Sequence, residues 1–241
     1  MFQRLLDLIF PPRCVVCGRA GEAVCAACRA KMLPPALPRC EHCGLTLAVA
    51  APLCPACADG VGPMRLASLR AATEYAGPAR EAILALKYRK QRAVAAPLAH
   101  LLAQAFAREG ISADLIAPVP LHSSRRRERG FDQAELLARD LARELRVPLR
   151  ADLLRRIRAT RNQRSLSAAE RGANVAGAFA LAGNHAAEAL RGKRVLLVDD
   201  VATTGATLNA AATALQTGDP ASIIGLVVAR PRLDRKWHSQ R

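Results

Sequence analysis

Hydrophobic residues after residue 67 follow two periods that alternate along the chain. Short, largely apolar runs predict strands that are buried on both faces. Between these runs, apolar residues recur at helical spacing, as at Leu137, Leu141 and Leu145. The predicted strands span residues 68–75, 115–119, 194–198 and 223–228, and the predicted helices begin at Gly77 or span residues 97–108, 131–145 and 206–216. Buried strands separated by helices predict an α/β fold, with a parallel sheet flanked by helices.

The chain before residue 63 has a different composition. All eight cysteines lie between Cys14 and Cys57, in a segment rich in proline. Such a turn-rich segment buries little apolar surface, so it needs cross-links in order to fold. We predict a small N-terminal module over residues 1–62 and a larger domain over residues 63–241, joined by a linker at 60–63. Residues 1–12 mix apolar and charged positions, which predicts a short amphipathic helix rather than an export signal.

The cysteines are arranged as four Cys-x-x-Cys pairs, a spacing that places two thiolates at two corners of a zinc tetrahedron. The predicted ligands of two four-cysteine zinc sites are Cys14, Cys17, Cys25, Cys28, Cys40, Cys43, Cys54 and Cys57. The short loops favour sequential pairing, with the first two pairs on one ion, although crossed pairing also fits the spacing. Gly18 and Gly44 each follow a pair, where we expect a sharp turn that points an amide at sulfur.

Other uses of the cysteines fit the sequence less well. Disulfides form in exported proteins, and the sequence has no export signal, so we expect a cytoplasmic protein. An iron–sulfur cluster takes the same ligands as zinc. Structural zinc alone does not establish DNA binding, because many zinc ribbons only stabilise a fold.

The chain carries a formal charge of +16, and thiolates on two zinc ions would lower it to about +12. A strongly basic protein suits anionic partners such as nucleic acid or a phosphorylated substrate, although a solvated basic surface gives the same count. Only 3% of residues are aromatic, which argues against an extensive platform for stacking bases. No apolar run approaches the roughly 20 residues that span a bilayer.

The segment from residue 195 to 208 carries the most specific chemistry. An apolar strand ends in Asp199 and Asp200, and a loop of small residues then leads into a helix. Amides at a helix N-terminus bind phosphate, and paired carboxylates accept hydrogen bonds from two neighbouring ribose hydroxyls. The predicted phosphate-binding loop consists of Thr203, Thr204, Gly205, Ala206 and Thr207. The alternative is that the acids are turn residues and a threonine is only a helix cap.

This segment closely resembles the binding signature of type I phosphoribosyltransferases. That resemblance implies that Asp199 and Asp200 hold the ribose hydroxyls of phosphoribosyl pyrophosphate. It further implies that the loop, together with Val201 and Ala202, binds the 5′-phosphate side of the ligand and that Mg²⁺ accompanies it. The segments at residues 85–89, 118–122, 129–133, 161–163 and 171–174 further resemble the ComF family, which also has an N-terminal Cys-x-x-Cys module. One departure is Asp132, where many members carry Asn; an extra acid there would weaken phosphate binding or help to hold Mg²⁺.

The resemblance also suggests roles for basic residues. Residues 118–120 form a candidate pyrophosphate loop, with Arg129 and the arginines at 125–127 beside it to neutralise charge, and Lys87 reaching the same anion. The Arg-rich stretch at 155–171 is predicted to be a long mobile loop that closes over the substrate. His122 is a candidate proton carrier or, as we favour, a structural residue.

Two functions follow from these assignments. One is transfer of the phosphoribosyl group to a nucleophile that the sequence does not identify. The other, implied by the association of ComF-like proteins with natural transformation, is a DNA-uptake factor that binds single-stranded DNA and works with DNA-uptake proteins. In that case the ribose-phosphate pocket senses a ligand or is retained without turnover.

Overall fold

The computed structural model describes residues 11–160 and 168–232. The N-terminal part contains two copies of one small unit. Each copy begins with a tight turn closed by an antiparallel bridge, Arg13 with Ala20 and Arg39 with Thr46. Each then ends in a single helical turn, α1 (Ala26–Arg29) and α2 (Pro55–Ala58). The helix predicted over residues 1–12 falls almost entirely outside the described residues.

A parallel sheet forms the centre of the remainder, as predicted. Its strands are β1 (Ser68–Glu74), β2 (Leu115–Pro118), β5 (Arg194–Val201) and β6 (Ser222–Arg230), in the order β1-β6-β5-β2. All three strand pairings are parallel. The middle of each strand is mostly apolar and buried, because helices cover both faces of the sheet, and the polar residues lie mainly toward the strand ends.

The helices that the apolar periodicity predicts are present. They are α3 (Gly77–Tyr88), α4 (Ala95–Arg108), α6 (Gln133–Leu145) and α9 (Ala206–Gln216), and a short 3₁₀ helix at Arg92–Val94 precedes α4. Leu137 and Leu141 of α6 are fully buried, and Leu145 is partly buried against the same core. No helix within the two described ranges has both the length and the apolar character needed to cross a bilayer.

Several elements were not predicted. They are α5 (Ser123–Arg129), β3 (Leu154–Arg156), α7 (Ala168–Val175), β4 (Phe179–Leu181) and α8 (Asn184–Leu190). Strands β3 and β4 pair antiparallel as a separate two-stranded sheet, which packs with α9. The prediction of a continuous loop over residues 155–171 was therefore wrong at both ends, where a strand and a helix occur; residues 161–167 lie outside the described residues.

The two cysteine units contact the sheet domain in different ways. Cys14, Val24 and Cys28 of the first unit belong to the same buried cluster as Leu86 and Leu98 of the helical layer. The second unit has its own small apolar cluster, formed around Cys40, Cys43, Leu45, Cys54 and Cys57. Polar contacts attach this second unit to the sheet. The boundary between residues 62 and 63 stays a prediction.

Candidate functional site

The eight cysteines form two groups of four, and the grouping is sequential. Within each group, all four Sγ atoms lie within 4.8 Å of one another. The Sγ atoms of Cys17 and Cys25 are 3.6 Å apart, and those of Cys43 and Cys54 are 3.7 Å apart. Tetrahedral zinc with Zn–S bonds of about 2.3 Å separates its sulfur ligands by about 3.8 Å. Both groups therefore fit structural Zn²⁺.

Glycines close the two turns, but their amides do not point at sulfur as predicted. Gly18 and Gly44 have φ angles of +76° and +69°, which other residues rarely adopt. Their amides donate to the carbonyl oxygens of Cys14 and Cys40, at 2.8 Å in both cases. The sulfur of Cys40 instead accepts from the amide of Cys43 at 3.4 Å. The glycines therefore shape the backbone of the turn rather than solvate the thiolates.

A cleft of about 350 Å³ opens at the carboxyl ends of the parallel strands. Tyr75 follows β1 there, Val119 follows β2, and Asp199 and Asp200 lie near the end of β5. Open α/β sheets commonly bind ligands at this edge, because the loops that leave neighbouring strands converge there. Polar side chains from several separate segments thus face one another across the cleft.

Asp199, Asp200 and Lys87 form a charged cluster within this cleft. Lys87 Nζ lies 2.8 Å from Asp200 Oδ1, and the Asp200 side chain is only 4% exposed. The other oxygen, Asp200 Oδ2, is buried and has no hydrogen-bond partner among the described residues. A ligand hydroxyl or a cation would satisfy this oxygen, since a buried unpaired carboxylate oxygen is costly.

Burial and neighbouring charges shift the pKa values of Asp199 and Lys87. Burial, together with the charge of Asp200, raises the pKa of Asp199 to about 8. Burial works to lower the pKa of Lys87, but the nearby carboxylates of Asp200 and Asp199 outweigh it, so the net shift is upward. At neutral pH the cluster therefore holds one ammonium, and Asp199 is available as a hydrogen-bond donor or acceptor.

The loop between β5 and α9 has the geometry expected of a phosphate site. Gly205 has a φ of +82° and immediately precedes the helix, and Ala206 N donates to Thr204 Oγ1 at 3.3 Å. A Cβ on Gly205 would lie 3.1 Å from Pro63 and 3.2 Å from Leu69. Glycine is therefore required here for conformation and for space. The first-turn amides of a helix have no carbonyl partner within it, and the helix dipole favours an anion.

Three arginines also line the cleft: Arg125, Arg129 and Arg156. Arg129 donates to Gln133 Oε1 at 2.8 Å and lies over the ring of Tyr88 at 5.4 Å, while Arg125 points to the carbonyl of Thr160 at 3.4 Å. Arg156 of β3 lies 5.2 Å over the Phe179 ring, and burial lowers its pKa. These contacts hold a set of positive charges in the cleft that also contains the carboxylates.

Two candidate residues have structural roles. Asp132 is the N-cap of α6: its carboxylate accepts from the amides of Ala134 and Glu135, and also from the amide of Leu121 at 2.7 Å. It therefore joins the loop after β2 to α6, and its oxygens are engaged rather than directed at phosphates or Mg²⁺. His122 caps α5 by accepting from the amide of Ser124 at 3.3 Å, in agreement with the structural role that we favoured.

The structure brings most of the predicted ligand-binding residues into the cleft. Those that line it are Lys87, Arg129, Asp199, Asp200, Val201, Thr203 and Thr207. The others lie behind the loop surface: Ala202 and Gly205 are buried, and Thr204 and Ala206 are partly buried. Arg156 and Thr160 also line the cleft, and neither was predicted as an individual site residue. Arg156 reaches the cleft because β3 pairs with the distant β4, and no local sequence signal indicates that pairing.

Comparisons with known proteins agree with this architecture. The family profile described as "Phosphoribosyl transferase domain" matches residues 132–239, and the "Double zinc ribbon domain" profile matches residues 5–61. Competence protein F of Haemophilus influenzae is 34% identical over 82% of this chain and 87% of its own length. The DNA utilization protein YhgH of Salmonella typhimurium is 33% identical over 83% of this chain and 89% of its own. Competence protein ComFC of Bacillus subtilis is 35% identical over 48% of this chain and 44% of its own.

Proposed function

This chain belongs to the ComF family, with a double zinc ribbon followed by a phosphoribosyl transferase domain, and we propose that its cleft binds phosphoribosyl pyrophosphate with Mg²⁺ and transfers the phosphoribosyl group to a nucleophile. The observation that carries the proposal is the position of Asp199 and Asp200. Both line the arginine-containing cleft, and only a short loop separates them from Gly205, the N-cap of α9.

In this proposal, the carboxyl end of β5 binds the ribose of the ligand, and the amino end of α9 binds its 5′-phosphate. The 5′-phosphate binds at the start of α9, where amides and the hydroxyls of Thr203 and Thr207 converge on the cleft. The ribose hydroxyls donate to Asp199 and Asp200. The unpartnered Asp200 Oδ2 gains a donor in this arrangement, which removes the cost of burying it alone.

The pyrophosphate group lies toward Arg125 and Arg129 in this proposal, because these side chains supply positive charge beside the loop that follows β2. Mg²⁺ takes one or two carboxylates together with phosphate oxygens, and the buried carboxylates here are suitable hard ligands. When bound, the metal ion supplies charge neutralisation for the departing pyrophosphate.

In the transfer step, the bond between ribose C1 and the pyrophosphate oxygen breaks, and the bonding electrons leave with pyrophosphate. The acceptor forms the new bond to C1 and gives up its proton to the departing pyrophosphate or to water. The protein contributes positioning and charge stabilisation: the carboxylates orient the ribose, while the arginines stabilise the negative charge that develops on the leaving group.

Calorimetric titration with phosphoribosyl pyrophosphate and Mg²⁺ tests the binding step. Replacing both carboxylates, Asp199→Asn/Asp200→Asn, should weaken binding on the order of 10- to 100-fold, because loss of the charged hydrogen bond to Asp200 costs about 1.5–3 kcal/mol. Asp140→Asn, a partly exposed carboxylate on α6, is the matched control and should bind as the unmodified protein does. Zinc-loaded, folded protein that does not bind the ligand would refute the proposal. Pyrophosphate release upon adding candidate acceptors tests transfer.

A second candidate function is binding of single-stranded DNA, in line with the names of the relatives. A basic surface at the mouth of the cleft favours it: Arg126 and Arg127 are exposed on α5, and Tyr88 is 55% exposed beside Arg129. Positive side chains contact phosphates without regard to sequence, and an exposed aromatic ring stacks on a base.

Fluorescence anisotropy with a labelled oligonucleotide tests this second function. Arg126→Gln/Arg127→Gln should weaken binding and reduce its salt dependence, since each phosphate contact contributes about −0.7 to the slope for a single strand. Lys193→Gln is the control, because this exposed residue lies beside the amino end of β5, opposite the cleft. Binding that is unaffected by the arginine changes would argue against this surface. DNA binding retained by Asp199→Asn/Asp200→Asn would separate the two functions.

A further inference from the structure

Arg230, the last residue of β6, joins the second four-cysteine group to the phosphate loop. It is 5% exposed. One guanidinium nitrogen, Nη1, donates to the carbonyl of Cys43, and the other, Nη2, donates to the carbonyl of Thr203 at 3.0 Å. Cys43 lies within the metal-binding turn, and Thr203 lies in the loop that precedes α9. A single buried, planar group thus fixes the spacing between two backbones that are remote in sequence.

A second contact lies behind the same loop. His42 belongs to the same cysteine turn, and its ring atom Nε2 lies 3.2 Å from the carbonyl oxygen of Pro63. The carbonyl of His42 accepts from the amide of Leu69 at 2.8 Å. Pro63 and Leu69 are the residues against which Gly205 packs. The turn that holds the second group therefore supports both the carbonyl of Thr203 and the start of α9.

The first four-cysteine group makes a different kind of attachment. Its buried residues pack with the apolar side chains of α3 and α4, in the cluster that includes Leu86 and Leu98. A change at the first group therefore acts on the helical layer, whereas a change at the second group acts on a polar link to the loop. The two groups are built from the same unit but should differ in their effect on the ligand.

We propose that Arg230 is a positioning residue through which metal occupancy of the second four-cysteine group fixes the conformation of the phosphate loop. Zinc holds the Cys43 turn in place, this turn orients Arg230, and Arg230 holds the carbonyl of Thr203. Coupling between two sites is reciprocal, so an occupied phosphate loop retains zinc in the second group more strongly. The ligand part of this inference rests on the proposed function; the loop part does not.

Arg70 supplies a matched control for Arg230. It also donates from β1 to the second cysteine unit, to the carbonyls of Glu41 at 2.7 Å and His42 at 3.2 Å. Its other contacts are the carbonyl of Leu69 at 3.0 Å and the carboxylate of Glu109, rather than the carbonyl of Thr203. Arg70→Met removes a comparable attachment of the unit without touching the loop. A difference between Arg230→Met and Arg70→Met therefore measures the link itself.

The first measurement is amide hydrogen exchange at residues 202–208 in zinc-loaded protein without ligand, which reports local opening. Arg230→Met and Cys57→Ser, which removes a ligand of the second group, should both raise exchange in this loop about tenfold or more. Arg70→Met and Cys17→Ser, which removes a ligand of the first group, should leave it within about twofold of the unmodified protein. Equal exchange in all four variants, or an equal rise in all four, would overturn the proposal. If Arg230→Met does not fold, Arg230→Lys replaces it in this experiment, because lysine keeps the charge but lacks the planar group that joins the two carbonyls.

The second measurement uses phosphoribosyl pyrophosphate with Mg²⁺ on the zinc-loaded protein. Its affinity should fall about tenfold in Arg230→Met, the loss expected for a hydrogen bond to a charged group, and less than twofold in Arg70→Met. Zinc release to a chelator should show two phases, one for each four-cysteine group. Cys57→Ser should abolish the phase that belongs to the second group and so identify it. The ligand should slow this phase only. A ligand that slows both phases equally or neither would contradict the coupling. If the unmodified protein does not bind the ligand at all, the proposed function fails, and the exchange experiment still decides the role of Arg230.

Discussion

Removing Lys87 should destabilise the protein far more than removing a surface cation. In Lys87→Met the Asp200 carboxylate loses its partner at 2.8 Å and, at 4% exposure, is left with neither oxygen paired. Breaking a buried ion pair by removing one partner costs about 3–5 kcal/mol. Because the Lys87 side chain is itself 19% exposed, water reaches part of the pair, and we expect a loss near 3 kcal/mol. For a chain of this size the loss corresponds to roughly 6–12 °C in Tm.

A double-mutant cycle by urea unfolding measures this effect. Asp200→Asn alone leaves a buried ammonium without its carboxylate, and the double variant Lys87→Met/Asp200→Asn removes both charges. The double variant should therefore be more stable than the sum of the single changes predicts, with a coupling energy on the order of 2 kcal/mol. Arg143→Met is the control, since its pair with Asp140 lies at the surface and should change stability by less than about 0.5 kcal/mol. Additive single changes, or a cost for Lys87→Met equal to that of the control, would refute the reasoning.

Three further predictions follow from other contacts. In thermal unfolding, Gly205→Ala should lower the stability of the protein more than Gly192→Ala does. Both positions have a positive φ, which costs about 1–2 kcal/mol for alanine, but only at Gly205 would the added Cβ meet close neighbours. Equal losses of stability would contradict the packing account. Burial alone would raise the pKa of Glu109, but Arg39 and Arg108 outweigh it and lower the net value. Its stabilisation is therefore present above the unfolded pKa of about 4.3 and is lost as pH falls through the folded value. Unfolding measured against pH should show Glu109→Gln less stable at pH 7 and the difference shrinking below about pH 4; a constant difference would be inconsistent. Metal analysis should find zinc at both four-cysteine groups, and the absorption spectrum should show no iron–sulfur bands. Removal of zinc by a chelator should lower Tm, because structural zinc contributes folding free energy. Iron in place of zinc would overturn the assignment.

The parts that the sequence predicts are those whose signal is local. The Cys-x-x-Cys pairs, the run from Asp199 to the start of α9, and the buried strands all carry their information within a few neighbouring residues. The sequential grouping of the cysteines was favoured by loop length alone, and the structure has that grouping. These features form the cleft and the metal-binding turns.

The contacts between distant segments were not predicted, for physical reasons. Helix α5 is polar and rich in arginine, so it has no apolar stripe to reveal it. Strands β3 and β4 are three residues long, and each becomes a strand only by pairing with the other. Arg230 appears in the sequence as one basic residue among 36 lysines and arginines. Its importance depends on the docking of the second cysteine unit, which no sequence period encodes.

The strand order has a consequence for how the chain folds during synthesis. Among the described residues, β1 has a single neighbour in the sheet, β6, so that Ser68 pairs with Ile224. At roughly 5–20 residues/s, β1 emerges on the order of 10 s before its partner is made. The cysteine units close through local contacts and can form at once, whereas the sheet waits for its last strand. Early metal loading would thus give the nascent chain a folded N-terminal part while the β1 edge is still exposed.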